Sequence, residues 1–494
     1  MMRYLKPALI TFICAVAALT AIVLVRASLL GAGGATPPAP LASVSDYDGD
    51  EIAARLAAAI RFRTISYGDG RPQDDDAFRR QTEFLEATYP AAHAALSREM
   101  ISGKSLLFRW AGTDTGEKPI GLMAHLDVVP IEAGTEDAWE QPPFDGVIED
   151  GIVWGRGALD NKHQLIAIME AVDHLAAEGF TPRRDIYLMF GHDEEIGGPE
   201  GAAAIVATLK SRGVSLAWTL DEGGGVAQGL IPGVEKPAAL LAVAEKGSIT
   251  LKFTATTEGG HSSTPNKDTA VSLISRAIVA VTDNPHPQTI DARMASFMKA
   301  LGGELPFVQK IGLANLWLFG PVVKDGLAAN PTTAAALHTT TAPTIISGGV
   351  KENILPQQAS AVVNYRIHPS DTVEGVRARA IALIDDPRVT VETLNSSDPS
   401  PESSSTNDAY NAFTAATLAQ FGDIPIAPFL TLQNTDTRHY IDIADDNYRF
   451  APFIFEPADL ERIHGTNERV RVDTLPRAAA WYEEMIRRTA GNKE

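Results

Sequence analysis

Three apolar runs of strand length, PIGLMA at 119–124, DIYLMFG at 185–191 and SLAWTL at 215–220, are each followed directly by acidic residues. The followers are HLD at 125–127, HDEE at 192–195 and DEGG at 221–224. Between the first two runs lies NKHQLIAIMEAVDHLAAEG, whose Leu165, Ile168, Met169, Val172, Leu175 and Ala176 keep helical spacing up to Gly179. Strand and helix alternate, and that order predicts a mostly parallel sheet with helices on both faces, an α/β fold. IAARLAAAIRF and DDDAFRRQTEFLEATY add amphipathic helices ahead of the first strand, the second with acidic residues in its first turn.

From Glu245 to about residue 397 the pattern changes. ITLKFTATTEGG and ASAVVNYRIHP alternate as half-exposed antiparallel strands do, with helical patterns between them. This predicts a smaller α+β domain inserted into the larger one. The expected division is an N-terminal segment at 1–45, a larger domain at 46–244 and 398–494, and the inserted domain at 245–397. AYNAFTAATLAQFG and PRAAAWYEEMIRRTA are helices of the returning part, and NSSDPSPESSST at 395–406 reads as the return loop. The segment ANLWLFGPVV reads as core of the inserted domain, or else as an apolar groove.

A net charge of −20 argues against nucleic-acid binding, which rewards clustered Lys and Arg. The single cysteine, Cys14, excludes disulfides within the chain and cysteine-ligated metal. Residues 7–25 carry no charge and follow Arg3 and Lys6. At about 19 residues the run can cross roughly 30 Å of hydrocarbon. Positive charge on its short side predicts a membrane anchor with the body of the protein on the non-cytoplasmic side. The alternative is a signal peptide cleaved near GAGGAT, leaving a secreted or periplasmic protein. Gly31 to Ser45 reads as a linker.

Along an extended segment, residues i and i+2 share a side, so His125 and Asp127 can meet and leave the other ring nitrogen free for a metal. Asp160 in GRGALDNK, Glu194 and Glu195 in HDEE, and Asp221 in LDEGG follow strands, at the end where open α/β sheets collect ligands. Gathered carboxylates repel one another unless a cation holds them. Asp160 taken alone reads better as a helix cap.

The ordered motifs HLDVVP, PPFDG, WGRGALDNK, HDEEIGG, LDEGG, GGHSSTP and HGTNERV, with NTDTRHY and YRFAPF, resemble the co-catalytic di-zinc aminoacylase/carboxypeptidase family. Within it the chain is most similar to the branch of carboxypeptidase S and the N-fatty-acyl amino acid synthase/hydrolases. The resemblance implies two zinc ions, with cobalt or manganese as substitutes. His125, Asp160 and Asp221 would hold one ion, and Asp160, Glu195 and His464 the other. It further implies that Asp127 orients His125, that Glu194 is the general base, that Asp160–Asn161 is a cis peptide, and that the larger domain is catalytic with the inserted α+β domain at 245–397 as its lid. His261 would reach the site from the lid, in cis or from a second copy in a homodimer, although a turn histidine bonded to nearby serines fits the residues equally. Asn353, Arg366 and Arg438 would hold the substrate, Arg438 taking its carboxylate, although a structural salt bridge fits the two arginines almost as well. His93, His163, His174, His192, His286, His338, His368 and His439 read as structural or surface residues.

The expected activity is hydrolysis of the amide to a C-terminal amino acid with a free carboxylate, on a small peptide. Its alternative is an N-acyl, including fatty-acyl, amino acid hydrolase/synthase. A non-catalytic, metal-stabilised binding protein is the third reading, and the intact ligand set and Glu194 argue against it.

Overall fold

The computed structural model describes residues 2–31 and 36–492, with side chains from Leu9 onward. The side chains of Arg3 and Lys6, and residues 32–35 of GAGGAT, therefore lie outside the described part of the structure. Helix Met2–Leu29 comes first, and its 21 residues Leu9–Leu29 have a mean hydropathy of 2.5.

The three apolar runs form strands Ile120–His125, Ile186–Gly191 and Leu216–Asp221, which lie side by side and parallel at the centre of a 10-stranded sheet. Strand Ala444–Arg449 extends this parallel centre beyond Leu216–Asp221, and Ile426–Thr431 pairs in parallel with Ala238–Glu245. The sheet is nevertheless mixed. Ser97–Ile101 and Ser105–Trp110 form an antiparallel hairpin at one edge, and Gly225–Ala227 runs antiparallel to Ala238–Glu245. The hairpin turns at Ser102 and Gly103, both at positive φ, a geometry matching the twist of two-residue hairpins. Each central strand is buried on both faces. Ile120, Leu122 and Ala124 pack with helix Lys162–Ala177, whereas Met123 packs with Ile205 and Leu209 of helix Ala202–Ser211 on the other side. Helices thus cover both faces, as strand–helix alternation requires.

The chain leaves the large sheet at Glu245 and starts the smaller one at Gly247, with only Lys246 between. The smaller sheet has four antiparallel strands, in the order Thr340–Gly348, Gln358–Ile367, Gly247–Thr256, Val389–Ser397. Ile249, Leu251, Phe253 and Ala255 alternate onto its core face against helices Ala270–Thr282 and Val373–Ile384. The final strand runs to Ser397, paired with Ser248, so the stretch predicted as loop from residue 395 begins as ladder. The segment ANLWLFGPVV is not lid core. It lies at the junction of helices Phe307–Ala314 and Leu316–Ala328, with Trp317 60% and Val322 70% exposed.

Candidate metal centre

The carboxyl ends of the three central strands bring the histidine and acidic motifs together, with His125 directly across from Gly191 in the register. His125 is buried, with Nδ1 3.3 Å from Asp127 Oδ1 and Nε2 2.9 Å from Asp160 Oδ1. The other oxygen of Asp160 lies 3.0 Å from Nε2 of His464, and Glu195 Oε2 lies 3.1 Å from the same nitrogen. One carboxylate thus faces two histidines, the disposition expected of a bridging ligand.

Two ligand groups share Asp160: His125, Asp160 and Glu222, and Asp160, Glu195 and His464. Asp221, predicted as a ligand, does not join the first group. Glu222 does, with Oε1 3.5 Å from His125 Nε2 and Oε2 accepting the Asn161 amide at 2.6 Å. The strand ends at Asp221, and the chain then turns through Glu222 and Gly223, bringing the Glu222 carboxylate towards His125. The DEGG motif held this signal, because it offers two adjacent acids and extended alternation cannot decide between them past a strand end.

These residues fit a cation. Glu195 Oε1 and Asp221 Oδ2 are buried with no hydrogen-bond partner, and among the described residues no Lys or Arg pairs with Asp160, Glu194, Glu195, Asp221 or Glu222. Burial pushes the Glu195 and Asp221 carboxyls up to about 7, which shows how poorly the site tolerates its own charge without a counter-ion. Imidazole and carboxylate donors suit zinc, and the one cysteine is exposed on the N-terminal helix. A third group, His174, Glu178 and Glu483, is already neutralised by Arg487, which pairs with both glutamates.

The scaffold around the ligands is itself ionic. Asp127 is fully buried and accepts the Ser66 hydroxyl at 2.5 Å and the backbone N–H groups of Glu194 and Glu195 at 3.2 and 3.3 Å. Glu468 accepts the N–H groups of Leu159 and Asp160 at 2.7 and 3.0 Å and is bound by Arg156 at 2.7 Å. Arg156 also donates to the carbonyls of His464 and Gly465. One buried pair therefore positions ligands from two distant parts of the chain. The Asp160–Asn161 peptide is cis, as the resemblance implied. Ser66 was not singled out from sequence, since a single polar residue in a loop carries no spacing signal; Arg156, Glu468 and Asp436 were given no role, although they lie within WGRGALDNK, HGTNERV and NTDTRHY, which held the signal. Asp436 is buried beneath the Glu194 turn, where Gly198, at φ 69°, packs against its carboxylate.

The predicted substrate residues lie outside the ligand groups. His261 is exposed, in a two-residue strand paired with Ile354–Leu355, and its Nδ1 accepts the Ser263 N–H at 3.1 Å. Among the described residues no hydrogen bond or ion pair links it to the ligands. Asn353 is exposed beside it, its carbonyl accepting the Ser262 N–H. Arg366 reaches Asn434 Oδ1 at 3.1 Å. Arg438 donates to the carbonyl of Gly197, in the turn after Glu194, at 2.8 Å. Burial and the nearby positive charge of Arg438 lower the Arg366 pKa.

Comparison with known proteins agrees with this geometry. The family model described as peptidase family M20/M25/M40 matches residues 121–488. A probable carboxypeptidase S-like protein of Dictyostelium discoideum is 37% identical over 89% of this chain and 85% of its own length. An N-fatty-acyl-amino acid synthase/hydrolase of Xenopus tropicalis is 36% identical over 90% of this chain and 87% of its own. The crystal structure of an M20 family metallo-carboxypeptidase from Sulfolobus solfataricus superposes with a TM-score of 0.64 at 18% identity, covering 88% of this chain and 98% of that one. The chain belongs to the peptidase family M20/M25/M40 and is a metal-dependent hydrolase.

Proposed function

We propose that the protein hydrolyses the amide linking an acyl or aminoacyl group to a C-terminal amino acid, with two zinc ions held around Asp160. One ion would take His125, Asp160 and Glu222, with Asp221 alongside, and the other Asp160, Glu195 and His464. The observation that carries this reading is the single Asp160 carboxylate set 2.9 Å from His125 and 3.0 Å from His464. The metals, when bound, would polarise the scissile carbonyl and make water more acidic. Glu194 takes a proton from that water and returns it to the leaving amine, a role open to it because it belongs to neither ligand group. Asp127 keeps the His125 ring and the Glu194 turn in place. Arg438, with Arg366, would bind the substrate carboxylate. Residues 245–397 would act as the lid carrying His261 and Asn353, with His261 donating to the developing oxyanion on closure or from a second copy. The exposed Ile345 and Ile346 on the lid's edge strand support a homodimer through that edge.

Peptides and N-acyl amino acids are both candidate substrates, since relatives similar to this chain carry both names. The apolar span Leu9–Leu29 supports a membrane anchor with the catalytic body on the non-cytoplasmic side, and a secreted product after cleavage is the alternative. The test is hydrolysis of a dipeptide panel beside N-acyl amino acids of increasing chain length, with and without chelator. Chelator-sensitive cleavage of either class upholds the reading. Activity that survives metal removal overturns it.

A further inference from the structure

The N-terminal helix is not a free tail. Helix Phe307–Ala314 packs along it, and the contacts fix its direction. Near the end of the apolar span Leu30 packs on Gly302, and the Gly31 and Gly303 backbones meet. Deeper in, Asn315 Nδ2 donates to the Val23 carbonyl at 3.1 Å and Arg26 Nε to the Ala314 carbonyl at 2.9 Å. Helix Phe307–Ala314 therefore runs antiparallel to the N-terminal helix, and the chain reverses at the fully buried Asn315. Helix Leu316–Ala328 packs back on it, with Gly312 facing Val323.

Val23 is six residues inside the Leu29 end of the apolar span. At the helical rise this places the hairpin tip roughly 9 Å below that end. Interfacial helices bury their apolar face to ~5–10 Å, so the depth matches. The outer surface is suited to that layer: Phe307, Val308, Trp317, Leu318 and Val322 are exposed. Between Phe307 and Val323 the only charged residue is Lys310, whose ammonium donates to the Gly303 carbonyl at the shallow end.

We propose that the hairpin Phe307–Ala328 is a second membrane element, dipping tip-first into the interfacial layer of the bilayer that holds the N-terminal helix. The proposal rests on the anchor reading of Leu9–Leu29. It commits to lipid because the helix packed against the hairpin is itself long and apolar enough to cross a bilayer. It also places the lid at a lipid surface, where an acyl chain is already dissolved.

The test uses the full chain in phosphatidylcholine vesicles, in a Cys14→Ser background. Single cysteines carrying a bimane fluorophore are introduced as Trp317→Cys, Val322→Cys, Leu19→Cys and Val350→Cys, each checked for unchanged thermal unfolding. Lipids brominated in the upper acyl chain should remove roughly half or more of the emission at 317 and 322, deeper bromines that at 19, and neither that at 350. Quenching at 19 without quenching at 317 and 322 overturns the hairpin and leaves the anchor standing. Absence of quenching at all four positions overturns both. Disulfide cross-linking between copies at 317, without lipid quenching there, assigns the face to a second copy and overturns the proposal.

Discussion

Oδ1 of Asp127 lies 3.3 Å from His125 Nδ1 and also accepts the backbone N–H of Glu194 at 3.2 Å. One buried carboxylate thereby sets both the orientation of the imidazole proposed to bind metal and the position of the residue proposed as base. Asp127→Asn keeps the volume but offers an amide where two N–H groups and a hydroxyl need an acceptor. Metal affinity and turnover should both fall, each by ~10–100-fold. Zinc titration beside hydrolysis rates checks it, and unchanged values would remove Asp127 from the machinery.

Glu194→Gln and Glu195→Gln separate base from ligand. The first should lower turnover by ~10²–10⁴-fold with metal content intact. The second should lose metal together with activity, because a neutral amide is a poor zinc ligand. Elemental analysis of both variants decides, and the opposite pattern would exchange the two roles.

Glu222→Gln and Asp221→Asn address the position where geometry and the family pattern differ. The Glu222 carboxylate faces His125, so Glu222→Gln should release about one of two metals. If Asp221→Asn releases metal and Glu222→Gln retains it, Asp221 is the ligand and the side chains reorganise when metal binds.

Arg156 and Glu468 form a buried pair, 2% and 0% exposed. Replacing Arg156 with Met leaves Glu468 buried without its counter-charge, a change that costs about 3–5 kcal/mol in comparable pairs. Denaturant unfolding should show that loss, and Glu468→Gln combined with Arg156→Met should recover part of it.

Lys246 is almost fully buried, donating to the carbonyls of Ala335 and His338, and burial lowers its pKa to about 7. Its unfolded value is higher, so between about 7 and 10.5 the unfolded chain binds the proton that the folded one has released. This group's contribution to stability therefore rises with pH across that window. Lys246→Met should flatten the rise in unfolding free energy there, measured as denaturant midpoints from pH 7 to 10.

The approach of His125 and Glu195 was legible because their motifs follow apolar runs, and parallel strands present their carboxyl ends together; Asp160, at a helix start, and His464, after helix Pro457–Arg462, joined them only through the family resemblance. Glu222 was not legible, since two adjacent acids at a strand end are separated only by how the backbone turns. Ser66, Arg156 and Glu468 act through hydrogen bonds to residues far along the chain, which leave no periodicity in the sequence. The hairpin at Phe307–Ala328 looked like core because apolarity records what a helix avoids, whereas its neighbours decide what covers it.

The single residue Lys246 between the two sheets has a mechanical consequence. The chain returns at the same place, with Gly247 tightly packed against Ser397, Asp398 and Pro399, so both covalent crossings sit side by side. Two tethers at one point make a pivot. His261 lies just beyond the far end of strand Gly247–Thr256, roughly 30 Å from that pivot. A turn of only about 20° there would carry its imidazole roughly 10 Å, so the four-stranded sheet would act as a long lever whose smallest movement is at the hinge and whose largest is at the histidine.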